Sequence, residues 1–231
     1  MGREHVITLP PRPTLPVKGC DGPFPVHQIW CVAKNYAAHA REMGADPQRQ
    51  PPRFFAKPAN AVVGPGELVA YPPQTSELHH EVELVMALAT GGRDIPVDEA
   101  LSHVFGCAVG LDLTRRDLQR AAKEAGQPWD LGKGFDHAAP CSEIVAGPPP
   151  TSAELWLSVN GDERQRGNVA DMTWDPAELI ARLSSFVSLM PGDLIFTGTP
   201  AGVGPLAVGD RVEAGVEGLA RLSVDIGPRL V

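Results

Sequence analysis

Two glutamates, Glu81 and Glu83, stand two positions apart at the start of an apolar run that continues to Leu88. The run predicts a buried strand, in which alternate side chains face the same side, so both carboxylates point one way. Two carboxylates about 5 Å apart repel each other by roughly 3 kcal/mol at an effective dielectric of about 20, and a cation between them would remove this repulsion. The alternative is an edge strand with one wet, acidic face, and the pair alone does not decide.

A third carboxylate, Asp112, stands at the end of a second predicted strand over residues 105–111. Ligands commonly bind at strand ends in mixed folds, although a turn or helix-cap aspartate is the alternative. Thr114 to Asp117 fits a helix-capping pattern and predicts a helix through Glu124. Glu81, Glu83 and Asp112 together offer oxygen donors that suit a hard cation such as Mg²⁺ or Mn²⁺.

His39 and Glu42 stand three positions apart, which places them on one face of a helix predicted over residues 36–43 with Asn35 as its cap. A carboxylate beside an imidazole raises its basicity, so the pair could act as a general base for water. The alternative is a solvent-exposed helix pair. The polar, proline-rich segment 46–53 that follows predicts a loop that becomes ordered when ligand binds.

Lys133 stands between Gly132 and Gly134, where the backbone can approach a ligand and the lysine could stabilise an oxyanion. An exposed turn is the alternative. The glycine-rich segment 197–204 lacks the Gly-Lys-Ser/Thr ending of a Walker loop and opens no helix. We expect its hydroxyls to face a carboxylate substrate, and a tight hairpin turn is the alternative.

The composition bounds the class of protein. The 231 residues are 43% hydrophobic and 21% charged, as in an ordinary globular protein, and the net charge of −8 argues against nucleic acid or an anionic membrane as partner. The chain contains no run of 18 apolar residues and its N-terminus does not resemble a signal peptide. Its four cysteines form no CxxC pair, which predicts reduced thiols in the cytoplasm. The chain has no Gly-x-Ser-x-Gly elbow, so we do not expect a serine hydrolase.

The elements read from the sequence are mostly strands. Residues 1–25 predict a short N-terminal arm, and residues 26–231 a single catalytic domain of the α+β class, β-rich with a few helices. Asn160-Gly161 after the run 155–159 predicts a hairpin, and Asp175-Pro176 predicts a helix through about residue 189. Further strands are expected at 29–32, 54–56, 194–197, 211–214 and 219–226, with strand and turn pieces over 61–71.

Taken in order, these motifs resemble the fumarylacetoacetate hydrolase family, and in particular its short bacterial members. The segments that carry the resemblance are Asn35-Tyr36-Ala37-Ala38-His39, Phe55-Ala56-Lys57-Pro58, His79-His80-Glu81-Val82-Glu83-Leu84, Gly110 to Asp117, Lys133-Gly134-Phe135-Asp136 and Thr197-Gly198-Thr199-Pro200. The resemblance covers about residues 26–226. It implies a β-roll catalytic domain of the fumarylacetoacetate hydrolase C-terminal type, a homodimer, and one Mg²⁺ or Mn²⁺ ion per subunit.

Carried over residue by residue, the resemblance makes Glu81, Glu83 and Asp112 the metal ligands and His39 with Glu42 the water-activating pair on a short helix that closes as a lid. It makes Lys133 the active-site lysine. Gln119 and Thr199 match substrate-binding residues, and Arg116 is a further candidate for substrate contact. Ala33-Lys34 departs from the family's usual Gly-Arg, and lysine lacks the bidentate fork of arginine.

The function expected is a metal-dependent hydrolase that cleaves the C–C bond of a 2,4-dioxo acid, with fumarylpyruvate, an intermediate of aromatic catabolism, as the foremost substrate. Arg41, Arg53, Lys57 and Arg116 are candidates to meet a distal carboxylate, and the sequence does not choose among them. A second expectation uses the same metal site for decarboxylation of oxaloacetate or isomerisation of a dioxo acid. A third, of another class, is a non-catalytic β-domain that Ca²⁺ stabilises.

Overall fold

The computed structural model describes residues 6–8, 10–42 and 50–229, and all structural statements concern these residues. Strands predominate and the helices are short. The strands are β1 (Thr14–Leu15), β2 (Phe24–Pro25), β3 (Ile29–Ala33), β4 (Arg53–Lys57), β5 (Val62–Val63), β6 (Leu68–Tyr71), β7 (Leu78–His80), β8 (Val82–Leu88), β9 (Val104–Leu111), β10 (Thr114–Arg115), β11 (Ala139–Pro140), β12 (Val145–Ala146), β13 (Glu154–Val159), β14 (Asp162–Asn168), β15 (Leu194–Phe196), β16 (Gly204–Leu206), β17 (Arg211–Val216) and β18 (Leu222–Arg229). The helices are α1 (Ala37–Glu42), α2 (Val97–Ala100), α3 (Arg116–Glu124), α4 (Asp130–Lys133) and α5 (Pro176–Ser184), with single 3₁₀ turns at Ala59–Ala61, Leu101–His103 and Val169–Asp171.

Two mixed sheets form the body of the fold. One has the strand order β12-β9-β8-β15-β3-β4 and the other the order β14-β13-β17-β18-β6. The sheets pack on each other through β13 against β8 and β17 against β9, and their apolar side chains form one core. A three-stranded sheet, β10-β7-β16, lies at one end of this core. The α+β, β-rich class expected from the sequence is confirmed.

The segment 1–25 contributes to the core where the structure describes it. β1 pairs with β2, and Leu15, Val17 and Phe24 are buried among the residues of the main apolar cluster. Burial of three apolar side chains stabilises the fold by several kcal/mol, so this part of the predicted arm is packed rather than peripheral.

Local chemistry explains the elements that the sequence predicted well. Asn160 and Gly161 both have positive φ, 55° and 87°, as a type I′ turn requires, and they join β13 to β14. Asp175 and Glu178 form a capping box at the start of α5, with Pro176 in its first turn. The helix ends at Ser184, before the predicted residue 189. The hydroxyls of Ser184 and Ser185 bond to carbonyls one turn back, which competes with continuation of the helix.

Three local predictions around the site are wrong. The one strand expected to carry both Glu81 and Glu83 is broken at Glu81, so that β7 and β8 belong to different sheets. Thr114 does not cap α3, because it lies in β10 and its hydroxyl donates to the carbonyl of Asp112. Asn35 does not cap α1, because its side chain bonds to the backbones of Trp174 and Thr197.

Part of the predicted lid lies outside the described residues. The helix is described to Glu42, so Met43 and residues 46–49 of the predicted loop are not covered. Within the described part of the chain, no helix is both long and apolar enough to cross a lipid bilayer.

Candidate active site

Three carboxylates meet at the break between β7 and β8. Glu81 occupies the break, Glu83 lies in β8, and Asp112 directly follows β9, which pairs with β8 so that Val82 faces Leu111. The backbone N–H of Asp112 donates to the carbonyl of Glu81 over 2.9 Å. Oxygens of all three side chains lie within 4.8 Å of one another, and all three residues are buried. The alternative of a wet edge strand is wrong, because β8 lies between β9 and β15 and every residue in it is buried.

Two basic side chains hold this cluster from one side. Lys133 Nζ lies 3.0 Å from Glu81 Oε2 and 2.6 Å from Asp112 Oδ2. Arg116 Nη2 lies 2.5 Å from Glu81 Oε1. Lys133 is 3% exposed, which rules out the exposed turn that the sequence left open. Its helix α4 packs on α3 and places the ammonium group between the two carboxylates.

The pKa shifts follow from these contacts. Burial disfavours the Glu81 carboxylate, but Lys133 and Arg116 outweigh it and hold the pKa of Glu81 below its ordinary value. Burial raises the pKa of Glu83, and the nearby charges of Asp112 and Glu81 raise it further. Burial acts to lower the pKa of Lys133, yet Asp112 and Glu81 raise it overall, so the lysine keeps its charge.

A further lysine completes the cluster. Lys57 is wholly buried at the end of β4, and its Nζ lies 2.8 Å from Asp112 Oδ1. The ammonium group donates its hydrogen bonds elsewhere, to the carbonyls of Leu113 and Lys133. The sequence made Lys57 a candidate to meet a distal carboxylate and did not indicate its position behind Asp112. Its place in the Phe-Ala-Lys-Pro motif, at the end of an apolar strand, was the available signal.

The donor set fits a hard divalent cation. Asp112 Oδ1 is buried and accepts no hydrogen bond. Its contact with the Lys57 ammonium group is an ion pair, because the angles at the two atoms do not suit a hydrogen bond. Ligand oxygens around one ion at about 2.0–2.6 Å can be up to roughly 5 Å apart, which the cluster satisfies. Glu81, Glu83 and Asp112 are therefore able to hold Mg²⁺ or Mn²⁺ with little rearrangement.

His39 faces the same cavity from α1, and Glu42 contacts it on the same helix. His39 is 5% exposed, so it is not the solvent-exposed helix residue of the alternative. Its Nδ1 lies 3.1 Å from Glu42 Oε2. Because the carboxylate can only accept, Nδ1 carries the proton in the neutral imidazole and Nε2 keeps a free lone pair. Such an imidazole can take a proton from water.

The glycine-rich loop 197–204 supplies backbone donors to both groups of carboxylates. The N–H of Gly198 donates to Glu83 Oε2 over 2.7 Å, and the N–H of Gly202 donates to Glu42 Oε1 over 3.1 Å. Both glycines have φ of +96°. A Cβ at Gly202 would come within 2.1 Å of the Arg164 carbonyl, so only glycine allows this approach. The loop therefore organises the site through its backbone N–H groups, whereas the sequence predicted a role for its hydroxyls.

The expected substrate-binding residues line the same cavity, and some of their hydrogen-bonding groups are already bonded to the protein. Gln119 Oε1 accepts from Arg116 Nη1 over 2.6 Å, which leaves the amide nitrogen for a ligand. The Thr199 hydroxyl donates to the Val82 carbonyl and accepts from Gln165. Its proton is therefore not available to a substrate carboxylate.

His79 and His80 support the cluster from behind. Burial, assisted by Arg116 and His80, lowers the pKa of His79 to about 4, so its ring is neutral. His80 Nδ1 lies 2.9 Å from Oε1 of Gln165, the residue that also holds Thr199. Both histidines thus position neighbours and are not among the three oxygen ligands.

These groups enclose a cavity of about 90 Å³. The predicted site residues that line it are His39, Glu81, Glu83, Asp112, Arg116, Gln119, Lys133 and Thr199. Glu42 stands behind His39. A second cavity of about 370 Å³ adjoins it along Arg53, Phe55, Trp129 and Lys133.

Comparisons with known proteins show the family that this chain resembles. The model of the fumarylacetoacetate (FAA) hydrolase C-terminal family matches residues 28–226. A fumarylpyruvate hydrolase from Ralstonia sp. is 45% identical over 177 residues, which are 76% of this chain and 92% of the relative. The mitochondrial oxaloacetate tautomerase FAHD1 of Arabidopsis thaliana is 40% identical over 206 residues, which are 88% of this chain and 92% of the relative.

A solved structure shows the same fold at high similarity. The crystal structure of fumarylpyruvate hydrolase from Pseudomonas aeruginosa in complex with Mn²⁺ and pyruvate superimposes with a TM-score of 0.95 at 46% identity. The match covers 98% of this chain and 100% of that one. With the family model spanning most of its length and relatives above 40% identity, this chain belongs to the fumarylacetoacetate hydrolase family.

Proposed function

We propose that the protein hydrolyses the C3–C4 bond of a 2,4-dioxo acid, with fumarylpyruvate as the foremost substrate and fumarate and pyruvate as products. The observation that carries the proposal is the position of His39, backed by Glu42, across one cavity from Lys133 and the three carboxylates. The names of the Ralstonia and Pseudomonas relatives support the same substrate.

Charge balance also favours such a substrate. Glu81, Glu83 and Asp112 face three basic groups, Lys57, Lys133 and Arg116. A bound divalent ion would leave two positive charges in excess within a buried site, and the dianionic enolate of a pyruvate unit balances them. When bound by the three carboxylates, Mg²⁺ or Mn²⁺ would supply Lewis-acid chemistry to the oxygens of the pyruvate half.

The protein's own groups account for the remaining steps. His39 Nε2 accepts a proton from a water molecule whose oxygen attacks C4, and Glu42 stabilises the imidazolium through Nδ1–H. Lys133 stabilises the oxyanion that forms on C4. The C3–C4 bond then breaks, its electron pair passes to the pyruvate enolate, and C4 leaves as a carboxylic acid. The His39 imidazolium then returns its proton to C3, which gives pyruvate and restores the neutral imidazole. Gln119, whose amide nitrogen is available, and Thr199 line the cavity and would contact the substrate.

Oxaloacetate is a second candidate substrate, since several relatives at about 40% identity are named oxaloacetate tautomerases. Tautomerisation or decarboxylation of oxaloacetate would use the same ion and lysine but needs no attacking water. Decarboxylation therefore does not need the base that His39 and Glu42 form. Tautomerisation could use this base to move a proton at C3. A Ca²⁺-stabilised domain without activity leaves the buried Lys133 and His39 unexplained.

The test is turnover of acetylpyruvate, fumarylpyruvate and oxaloacetate by purified protein with Mg²⁺ or Mn²⁺. Hydrolysis of either acylpyruvate with kcat/KM well above that for any oxaloacetate reaction supports the proposal. The Glu83→Gln variant controls for contaminating activity, because it removes one of the three oxygen ligands. Reaction with oxaloacetate alone would replace the first proposal by the second, and no reaction with any of the three would remove both.

The proposal extends to assembly and location. The resemblance implies a homodimer, which sedimentation velocity tests. The four cysteines are free, and burial raises the pKa of Cys107 to about 12, so that thiol is unreactive. Free thiols agree with the proposed cytoplasmic location.

A further inference from the structure

We infer that the mouth of the cavity is a subsite for a second, distal carboxylate of the substrate, formed by Lys34, Arg53 and Lys123. The inference rests on the proposed function and narrows it, since it assigns the protein to acylpyruvates whose acyl group is itself anionic. It also gives a role to Lys34, which stands where the family usually has arginine.

The three cations come from three elements that converge on the cavity. Ala33 faces Arg53 across the β3–β4 pair, so Lys34, the next residue, lies beside Arg53 at the end of the sheet. Lys34 has a φ of +61°, which turns the chain from β3 towards α1. Lys123 lies on α3, on the same face as Arg116 and Gln119, because its spacing from them is seven and four residues. All three cations line the same cavity as Glu83 and Lys133.

The described part of the chain does not neutralise these cations. Among the described residues, no carboxylate forms an ion pair with Lys34, Arg53 or Lys123. Three cations that pair with no described carboxylate thus meet at one opening, although the net charge of the chain is −8. Partial burial lowers the pKa of Lys34, and Lys123 and Arg53 lower it further, which shows that the three charges act on one another. Such repulsion is relieved when an anion binds between them.

The structure also removes the other candidates for a distal carboxylate. Lys57 is wholly buried behind Asp112. Arg116 is engaged with Glu81 and Gln119. Arg41 is exposed on α1 and is not among the described residues that line the cavity. Of the four arginines and lysines that the sequence offered, Arg53 remains.

The dimensions suit a seven-carbon dioxo diacid. Arg116, which contacts the metal-site carboxylate Glu81, and Lys123 are seven residues apart on α3, or about 10 Å along the helix axis. Six carbon–carbon bonds of about 1.5 Å in an extended chain place the two terminal carboxyl carbons roughly 7–8 Å apart. A substrate with its pyruvate end at the carboxylate cluster therefore brings its distal carboxylate within reach of the flexible lysine and arginine side chains.

The experiment compares two substrates that share the pyruvate half. Fumarylpyruvate carries the distal carboxylate and acetylpyruvate does not. We expect Lys34→Gln, Arg53→Gln and Lys123→Gln each to lower kcat/KM for fumarylpyruvate roughly three- to tenfold, mainly through KM, and the triple variant to lower it about 10²-fold. Turnover of acetylpyruvate should change less than twofold. The triple variant Arg12→Gln/Lys18→Gln/Arg93→Gln removes the same number of charges from exposed positions outside the cavity and serves as the matched control.

The salt dependence adds a second readout. Raising the ionic strength should depress kcat/KM for fumarylpyruvate more than for acetylpyruvate in the wild type, and the difference should vanish in the cavity triple variant. Equal losses for both substrates, or an equal loss in the control triple variant, would overturn the inference and leave the hydrolase proposal intact.

If neither acylpyruvate is hydrolysed, the proposed function fails and the subsite is judged by binding alone. Fumarate then serves as the probe in calorimetric titrations of the Mn²⁺-loaded protein. Binding that the cavity triple variant weakens at least tenfold supports the subsite, and binding unchanged in that variant, or no binding to the wild type, overturns it.

Discussion

Lys57 Nζ lies 2.8 Å from Asp112 Oδ1, and neither side chain is open to solvent. The pair joins the end of β4 to the end of β9, and the lysine also donates to the carbonyls of Leu113 and Lys133. Lys57 thereby holds both Asp112, a proposed metal ligand, and the segment that carries Lys133, the proposed catalytic lysine.

Replacing Lys57 by methionine should therefore destabilise the protein. Asp112 would keep Lys133 but lose the second of its two cationic partners, and the carbonyls of Leu113 and Lys133 would lose their buried donor. Breaking a buried ion pair costs up to about 3–5 kcal/mol. Thermal unfolding in EDTA measures the loss, with Lys18→Met, an exposed lysine, as the control. Saturating Mn²⁺ should restore part of the loss, because the ion neutralises Asp112. Unfolding of Lys57→Met at the wild-type temperature in EDTA would show that the pair does not stabilise the fold.

Metal binding should release a proton and strengthen with pH. The pKa of Glu83 is raised by burial and then by Asp112 and Glu81, so Glu83 tends to hold a proton that a metal must displace. We expect Mn²⁺ affinity to rise by up to about tenfold per pH unit below the raised pKa of Glu83. Calorimetry in buffers of different ionisation enthalpy measures the released proton. An affinity independent of pH from 5 to 8 would contradict this.

The stability of the metal-free protein should show the matching trend. A carboxyl group with a raised pKa stabilises the folded state below its unfolded pKa, and this stability is lost as pH rises through the folded pKa. Chelation with EDTA should therefore lower the unfolding temperature more at alkaline than at acidic pH. In EDTA, the unfolding temperature of Glu83→Gln should depend less on pH than that of the wild type. An unchanged pH dependence in this variant would show that another group causes it.

His39→Ala should abolish hydrolysis while metal affinity stays largely intact. His39 lies on α1 and pairs with Glu42, whereas the three proposed ligands lie around β8 and β9. Loss of a general base costs about 10²–10⁴-fold in rate. Steady-state kinetics on an acylpyruvate and Mn²⁺ titration measure the two effects. Hydrolysis at the wild-type rate would refute the role of His39, and surviving decarboxylation of oxaloacetate would show that this reaction uses the ion without the base.

Helix α1 should become more protected when the site is filled. Glu42 joins His39 to the Gly202 N–H, and these contacts form the described link between α1 and the glycine-rich loop. We expect peptides covering residues 35–42 to exchange amide hydrogens more slowly with oxalate and Mg²⁺ than without them. Glu42→Gln should exchange faster in the ligand-free state. Equal exchange in both states, with oxalate shown to be bound, would mean that the helix is fixed.

Alternation and apolar runs in the sequence determined that Glu81 and Glu83 belong to a buried segment and that Asp112 follows a second buried strand, and helical spacing paired His39 with Glu42. Turn chemistry likewise determined the hairpin at Asn160-Gly161. These features depend on residues that are near one another in the chain, so local rules capture them. Helix spacing also put Arg116, Gln119 and Lys123 on one face.

Tertiary structure alone decided which distant groups meet. Lys57 reaches Asp112 across 55 positions, and the N–H groups of Gly198 and Gly202 reach Glu83 and Glu42 from the far end of the chain. The break at Glu81 likewise arises because β7 and β8 join different sheets. No local pattern encodes such contacts, because a lysine in a strand or a glycine in a loop acquires its role only from the element that packs against it.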